Sequence, residues 1–200
     1  MAGHFEPVPG GGAAVALDEV EISILRSLAV QLLELIGPGD EPVEGEDPLA
    51  ALFAEGPSEP PADPALARLF PEAYAGPDAD AKDEELRAAS AEFRRFTERD
   101  LRSRKRADAL TVVRTLDSLT SLTSSGEGGA VLKLTADDCL HWLGALNDLR
   151  LTIGTRLDVS DEDESDELYR LPDSDPRKPM VMAYLWLGAL QESLVETLMP

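Results

Sequence analysis

The residues best suited to catalysis are few in this chain. Its only histidines are His4 and His141, and its only cysteine is Cys139. A general base needs an oriented partner, and helical periodicity places His141 on the outer side of its helix, so we expect an exposed histidine without a catalytic role. The sequence also lacks nucleophile elbows, phosphate-binding loops and metalloprotease motifs. We therefore expect a protein that is not an enzyme and that holds no cofactor and no metal.

Cys139 supports two interpretations. It lies one turn into a predicted helix, where the helix dipole lowers a thiol pKa and would favour a redox-active thiolate. Its place on the apolar stripe of that helix favours a small buried hydrophobe instead, and the adjacent Asp137 and Asp138 oppose thiolate formation. A single cysteine cannot form an intrachain disulfide, which leaves an intermolecular disulfide or another thiol modification.

The densest charge is the stretch 94–106, RRFTERDLRSRKR, with seven of the chain's eighteen basic residues. It sums to +5 after Glu98 and Asp100 are counted, in a chain of formal charge −21, so the remainder carries −26. Four of its arginines fall within an arc of about 60° on a helix and are predicted to face outward: Arg95, Arg99, Arg102 and Arg106.

This basic face has three interpretations. It could be solvated charge balanced by acidic loops. It could dock an acidic partner protein. It could also touch nucleic acid inside a larger complex, where another protein overcomes the repulsion between phosphates and this acidic chain; the net charge disfavours free DNA as a partner.

Three further charges fall on predicted apolar stripes and would need partners there. Asp100 and Arg104 have i, i+4 spacing on one helix, and Arg150 lies on another. We expect Asp100 to pair with Arg104, with Arg150 as a further partner across a helix contact, because an unpaired buried charge is costly. The alternative is that these side chains reach solvent at the rim of the packing. Either role is structural.

Helix signals dominate the rest of the chain. Asp18 and Glu21 form a capping box that predicts a helix over 18–36, which Gly37 and Pro38 end. The segments DPLAALF from Asp47 and DPALARLF from Asp63 predict short helices with Pro at the first position. Thr135 and Asp138 predict a helix to about Leu157, and a final helix begins near 176–179 and reaches Met199. Because the final helix is apolar on nearly all sides between Val181 and Leu190, we expect burial between layers or a dimer contact.

The segment from Asp83 to Leu122 predicts a long helix with an internal bend or break. Its first half has an apolar stripe of Leu86, Ala89, Phe93, Phe96 and Ala107. Beyond Ala107 the apolar positions Leu110, Val113 and Leu116 rotate toward the basic side. One partner could not bury both halves of a straight helix, so we expect the bend or break near 103–109.

These elements predict a mainly α fold: a helical bundle of four to six helices in one domain over 1–200, with short helices and acidic loops. The predicted loops are 38–46, 55–62, 76–82, 123–130 and 158–175. A small β-hairpin over 1–17 is a candidate, and AVLKL at 130–134 could make it three-stranded. The chain shows no secretory signal and no membrane-length apolar run, which predicts a cytoplasmic protein without membrane contact.

Six segments resemble one family when their order is considered: VEISILRSLAVQLLELI, DPLAALF, DPALARLFPEAY, FRRFTERDLR, WLGALNDLRLTIGTRL and AYLWLGALQESLVETL. Together they are similar to the AosR-like actinobacterial family, which was formerly described as a domain of unknown function. The resemblance implies a cytoplasmic, non-enzymatic regulator of redox-stress transcription. Such a regulator would act through RNA polymerase and an alternative sigma factor, with ties to cysteine biosynthesis.

The resemblance thus predicts a helical regulator that contacts the transcription machinery, with the four arginines and the acidic surface as docking elements of opposite sign. A proteostasis adaptor that delivers substrates to a protease, or a structural interaction module, is the alternative. Disulfide sensing would need paired cysteines, and the lone Cys139 departs from that requirement.

Overall fold

A computed structural model describes residues 3–38, 56–74, 84–123, 129–159, 168 and 170–199 of this chain. Within these ranges it contains five helices and one small sheet, and the fold is mainly α, as predicted. The helices are α1 (Glu19–Ile36), α2 (Pro64–Leu69), α3 (Glu84–Thr123), α4 (Ala136–Arg156) and α5 (Lys178–Leu198). None of the helices in the described part is long and apolar enough to cross a membrane.

Three of the predicted helix starts are confirmed by their capping hydrogen bonds. Asp18 and Glu21 form a reciprocal capping box at α1, and Thr135 and Asp138 form another at α4. The Asp63 carboxylate accepts from the backbone of the first turn of α2, with Pro64 at the first position. These starts were predictable because a cap is satisfied by atoms within three residues.

The three-stranded sheet is also confirmed. Strands β1 (Glu6–Pro7), β2 (Ala13–Leu17) and β3 (Ala130–Leu134) lie in the order β1-β2-β3, and both pairings are antiparallel. Alternate residues of the sheet, Val15 and Leu132 among them, turn one face to the core. Gly12 closes the turn with φ 123 and lies against the Leu134 carbonyl, where a side chain would not fit.

Helix α4 lies at the centre and packs on α1, α2, α3 and α5. Trp142 of this helix is fully buried, meets Phe5 edge to face at 5.9 Å, and donates from Nε1 to the Thr115 hydroxyl at 3.1 Å. Helix α5 buries Val181, Leu187 and Leu190 and leaves Met180 and Met182 exposed. Its apolar belt is therefore only partly covered.

The long helix α3 is one unbroken helix of 40 residues, so the predicted break near 103–109 is wrong. Its buried residues are Ser90, Arg94, Glu98, Ala109, Val112, Leu116 and Leu119. At 100° per residue these positions fall within a single arc of about 100°, so a straight helix can bury all of them. The break was predicted because the buried positions of the first half were assumed to be apolar, whereas they are polar and charged.

Some predicted elements lie outside the described residues. They are the short helix from Asp47, the loop 76–82, nearly all of the loop 38–46, most of the loop 123–130 and half of the loop 158–175. Residues 56–62 are described and contain neither helix nor strand, as predicted.

Candidate partner-binding surface on helix α3

Three charged residues of α3 form a buried cluster, the Arg–Glu–Arg cluster of Arg94, Glu98 and Arg102. Arg94 Nη1 lies 2.5 Å from Glu98 Oε2, and Arg102 Nη2 lies 2.6 Å from Glu98 Oε1. The side chains of Arg94, Glu98 and Arg102 are 6%, 2% and 24% exposed. Both oxygens of the buried carboxylate are thus paired, which is the condition under which a buried charge is tolerated.

Arg94 and Arg102 of this cluster, together with Arg106, donate to carbonyl groups at the ends of two other helices. Arg94 Nη2 donates to the Phe70 carbonyl oxygen at 3.0 Å, just beyond α2. Arg102 donates to the Ile36 carbonyl oxygen, and Arg106 to that of Gly37, at the end of α1. The terminal carbonyls of a helix lack intrahelical donors and carry the negative end of its dipole, so cations stabilise them.

The four arginines of the predicted docking face are therefore not a fully outward ridge. All four are half-buried. Arg102 also stacks 4.4 Å from the centre of the Phe70 ring, and with Arg106 it holds the end of α1. Arg95 lies over the exposed Phe96 ring at 5.0 Å, and its carbonyl oxygen accepts from Gly56 N at 2.9 Å, next to Arg99. The docking role of these residues stays a prediction.

The stripe predicted to be buried on the first half of α3 is the solvent face. Phe93 and Phe96 are 47% and 62% exposed, and Ala107 is exposed as well. Asp100 and Arg104 lie on this stripe, as predicted, but both are exposed, so the expectation that they are inward charges is wrong. The opposite face of the helix is turned inward because it carries Arg94 and Arg102, which donate to the Phe70 and Ile36 carbonyl oxygens.

Arg150 is half-buried between α4 and α5. Its Nη1 donates to Gln191 Oε1 at 2.7 Å, and its guanidinium lies 5.4 Å from the centre of the Tyr184 ring. Its contacts are therefore with α5, whereas the sequence predicted a contact with Asp100 on α3. The guanidinium lies beside Gly188, where a Cβ would be at ordinary contact distance, 3.5 Å from Arg150 Nε.

Sequence reasoning missed two polar contacts between α3 and α4. Lys105 Nζ lies 2.6 Å from the Asp148 carboxylate, which is 2% exposed, and His141 Nδ1 lies 2.7 Å from Asp108 Oδ1. His141 was predicted to be an exposed histidine without a catalytic role; it is half-buried, and its ring is oriented by a carboxylate. The i, i+3 spacing of Lys105 and Asp108 puts both on one side of α3, but no local signal says that α4 faces that side.

Cys139 is completely buried, as its place on the apolar stripe predicted. Burial raises the pKa of the Cys139 thiol, and the charge of Asp138 raises it further, against backbone contacts at Ala13 that lower it. The thiolate, which is the form that reacts with oxidants, is therefore disfavoured in the folded chain.

A family model described as a domain of unknown function (DUF2017) matches residues 2–198, and this chain belongs to that family. Among curated proteins it is similar to the oxidative stress regulator AosR of Mycobacterium tuberculosis and of Mycobacterium bovis. The identity to each is 30% over 185 residues, which cover 90% of this chain and 78% of the relative.

A putative oxidative stress regulator AosR of Mycobacterium leprae matches with the same identity over 90% of this chain and 79% of its own length. The resemblance inferred from six helical segments is therefore confirmed. No solved structure matches this chain.

Proposed function

We propose that this chain is a non-enzymatic regulator of the oxidative-stress response that acts by binding RNA polymerase or an alternative sigma factor. The main support for this function is that 90% of the chain is similar to proteins named oxidative stress regulators. The family match spans residues 2–198, which contain every described helix and strand, so it supports a shared fold.

The surface that best supports partner binding is the edge of α3 formed by Arg95, Arg99 and Phe96. Arginine and aromatic side chains are enriched at binding interfaces, and here a guanidinium lies over an exposed ring. The surface belongs to the one strongly basic stretch of a chain whose remaining charge is −26. An acidic surface of the partner would be repelled by most of this protein and attracted to this edge. The attraction would orient the partner as it approaches.

The test is a binding measurement between the purified chain and purified polymerase core and sigma factors. Reversing the two arginines with R95E/R99E should weaken binding by about tenfold or more at moderate salt. The matched control is R87E/R114E, which changes the net charge equally at two exposed arginines of the same helix and should bind as wild type. Thermal unfolding of each variant establishes that it is folded.

Three outcomes separate the parts of this proposal. Equal binding by R95E/R99E and wild type contradicts the docking edge but leaves the partner in place. Absence of binding to polymerase and every sigma factor contradicts the function itself. Capture of protease subunits from the host, in place of polymerase subunits, would favour the alternative role as a protease adaptor.

A further inference from the structure

The outward face of α3 is a long exposed stripe that no described element covers. It carries Phe93 and Phe96, 47% and 62% exposed, followed by Asp100, Arg104 and the exposed Ala107. Large aromatic side chains at this exposure lose the free energy of burial, which is about 1.5–3 kcal/mol for each fully buried side chain. A run of them on one helix face is typical of a surface that becomes buried against another molecule.

The charges on this stripe are complementary to those of the same stripe on a second copy of the chain. Asp100 and Arg104 lie four residues apart on the same face, with opposite signs, near the middle of the helix. If a second α3 lies antiparallel against the first, with a two-fold axis at the level of residue 102, Asp100 of each copy faces Arg104 of the other. Shifting the axis to the level of Asp100 or Arg104 would instead place like charges opposite each other.

The same arrangement matches large residues with small ones. With the axis at residue 102, Phe96 and Phe93 of one copy lie at the level of residues 108 and 111 of the other, on a face that presents Ala107 and Thr111. Small side chains there leave room for the two rings, as interdigitated packing requires. Thr111 keeps its hydroxyl bonded to the Ala107 carbonyl oxygen at 3.0 Å, so its methyl group is free to pack.

We propose that the outward face of α3 is a homodimer interface, in which two copies of this chain pack α3 against α3, antiparallel, through reciprocal Asp100–Arg104 ion pairs flanked by Phe93 and Phe96. A two-fold interface uses the same patch on both subunits, so a self-complementary patch is what it requires. The basic stretches of the two copies can approach because Glu98 pairs with Arg94 and Arg102, and Asp148 pairs with Lys105. Asp100 and Arg104 lie on a different side of α3 from Arg95 and Arg99 of the docking edge. The two surfaces meet at Phe96, whose ring lies under the Arg95 guanidinium.

The test is sedimentation velocity of the full chain across a range of protein concentrations. Wild type should form a dimer, and D100R or R104D alone should each weaken dimerisation at least about tenfold, because each places like charges opposite one another twice. The double variant D100R/R104D exchanges the two charges and should restore dimerisation to near the wild-type level. Phe96→Asp should abolish the dimer.

Both charged residues are exposed, so these variants should fold, and circular dichroism with thermal unfolding verifies this. The control is R87E, an exposed arginine of the same helix outside the stripe, which should leave dimerisation unchanged. A wild-type chain that stays monomeric at all concentrations overturns the proposal. A dimer that tolerates D100R, or that the double variant fails to restore, shows that the interface or its register is elsewhere and overturns it as well.

Discussion

The two halves of α3 bury opposite kinds of residue: the first half buries polar and charged side chains, and the second half buries apolar ones. The first half, residues 84–105, buries Ser90, Arg94 and Glu98 and exposes Phe93 and Phe96. The second half, residues 106–123, buries the apolar residues Ala109, Val112, Leu116 and Leu119.

The difference follows from what each half meets. The second half packs on apolar side chains of α1 and α4, whereas the first half meets the carbonyl groups that end α1 and α2. A helix face is buried when it matches the chemistry of its neighbour. The C-terminal end of a helix leaves carbonyl acceptors open, so the matching group there is a hydrogen-bond donor.

The strongest test of the first half removes the centre of its charge cluster. Glu98→Ala leaves the buried Arg94 and the half-buried Arg102 without their carboxylate and should lower the free energy of unfolding by about 3–5 kcal/mol. Urea unfolding measures this, and Glu92→Ala, an exposed glutamate of the same helix, is the control with an expected change of about 0.5 kcal/mol or less. A small effect of Glu98→Ala would mean that the cluster is not a structural element.

The second half should respond as an ordinary core. Leu116→Ala removes a fully buried side chain and should cost about 2–5 kcal/mol of unfolding free energy, with the larger values if the cavity does not collapse. Urea unfolding again measures the cost. A loss well under 1 kcal/mol would show that this half is not packed as the structure has it, and the contrast between the halves would fail.

The junction of the two halves should show a pH dependence set by Asp148. Burial raises the pKa of the Asp148 carboxyl above its ordinary value, and the Lys105 hydrogen bond and charge only partly oppose this. The folded state therefore holds this proton more tightly than the unfolded state. The stabilisation is complete below the ordinary value of 3.8 and is lost as the pH rises through the raised value.

Unfolding of wild type and Asp148→Asn should be compared from about pH 4 to about pH 7. The stability of wild type relative to Asp148→Asn should fall as the pH rises, because the amide has no proton to lose. Asp173→Asn, at an exposed position, should leave the pH dependence unchanged. A difference that grows with pH would mean that the ion pair with Lys105 outweighs burial.

The smallest effect is expected from an aromatic residue of the first half. Phe93→Ala should cost about 1 kcal/mol or less when measured by thermal unfolding at concentrations that keep the chain monomeric, because nearly half of the side chain is already in water. What it loses is mainly the edge-to-face contact with Tyr74, whose ring centre is 6.1 Å away. A loss of stability near the 3–5 kcal/mol expected for a buried phenylalanine would contradict the exposed position of Phe93 and the difference between the two halves.

Much of the fold was predictable, and the candidate site was less so. The capped starts of α1, α2 and α4 and all three strands were predicted from the residues that form them. The position of Cys139 followed from the period of its helix. The inward Asp100 and Arg104 and the break in α3 were wrong, and the arc of arginines is half-buried where it was expected to face fully outward. These differences share one reason: apolar residues were taken to mark the buried face.

The sequence by itself determined where α1, α2 and α4 begin, where α1 ends and where the strands lie, because caps, a glycine stop and strand alternation depend on atoms a few residues apart. It also determined the basic stretch and the family. Only the tertiary structure decided which side of α3 faces the core, since that depends on the carbonyls of Ile36, Gly37 and Phe70, which lie far from the arginines along the chain. Burying the arginines there satisfies acceptors that the ends of α1 and α2 leave open, and the rings of Phe93 and Phe96 are turned outward as a result.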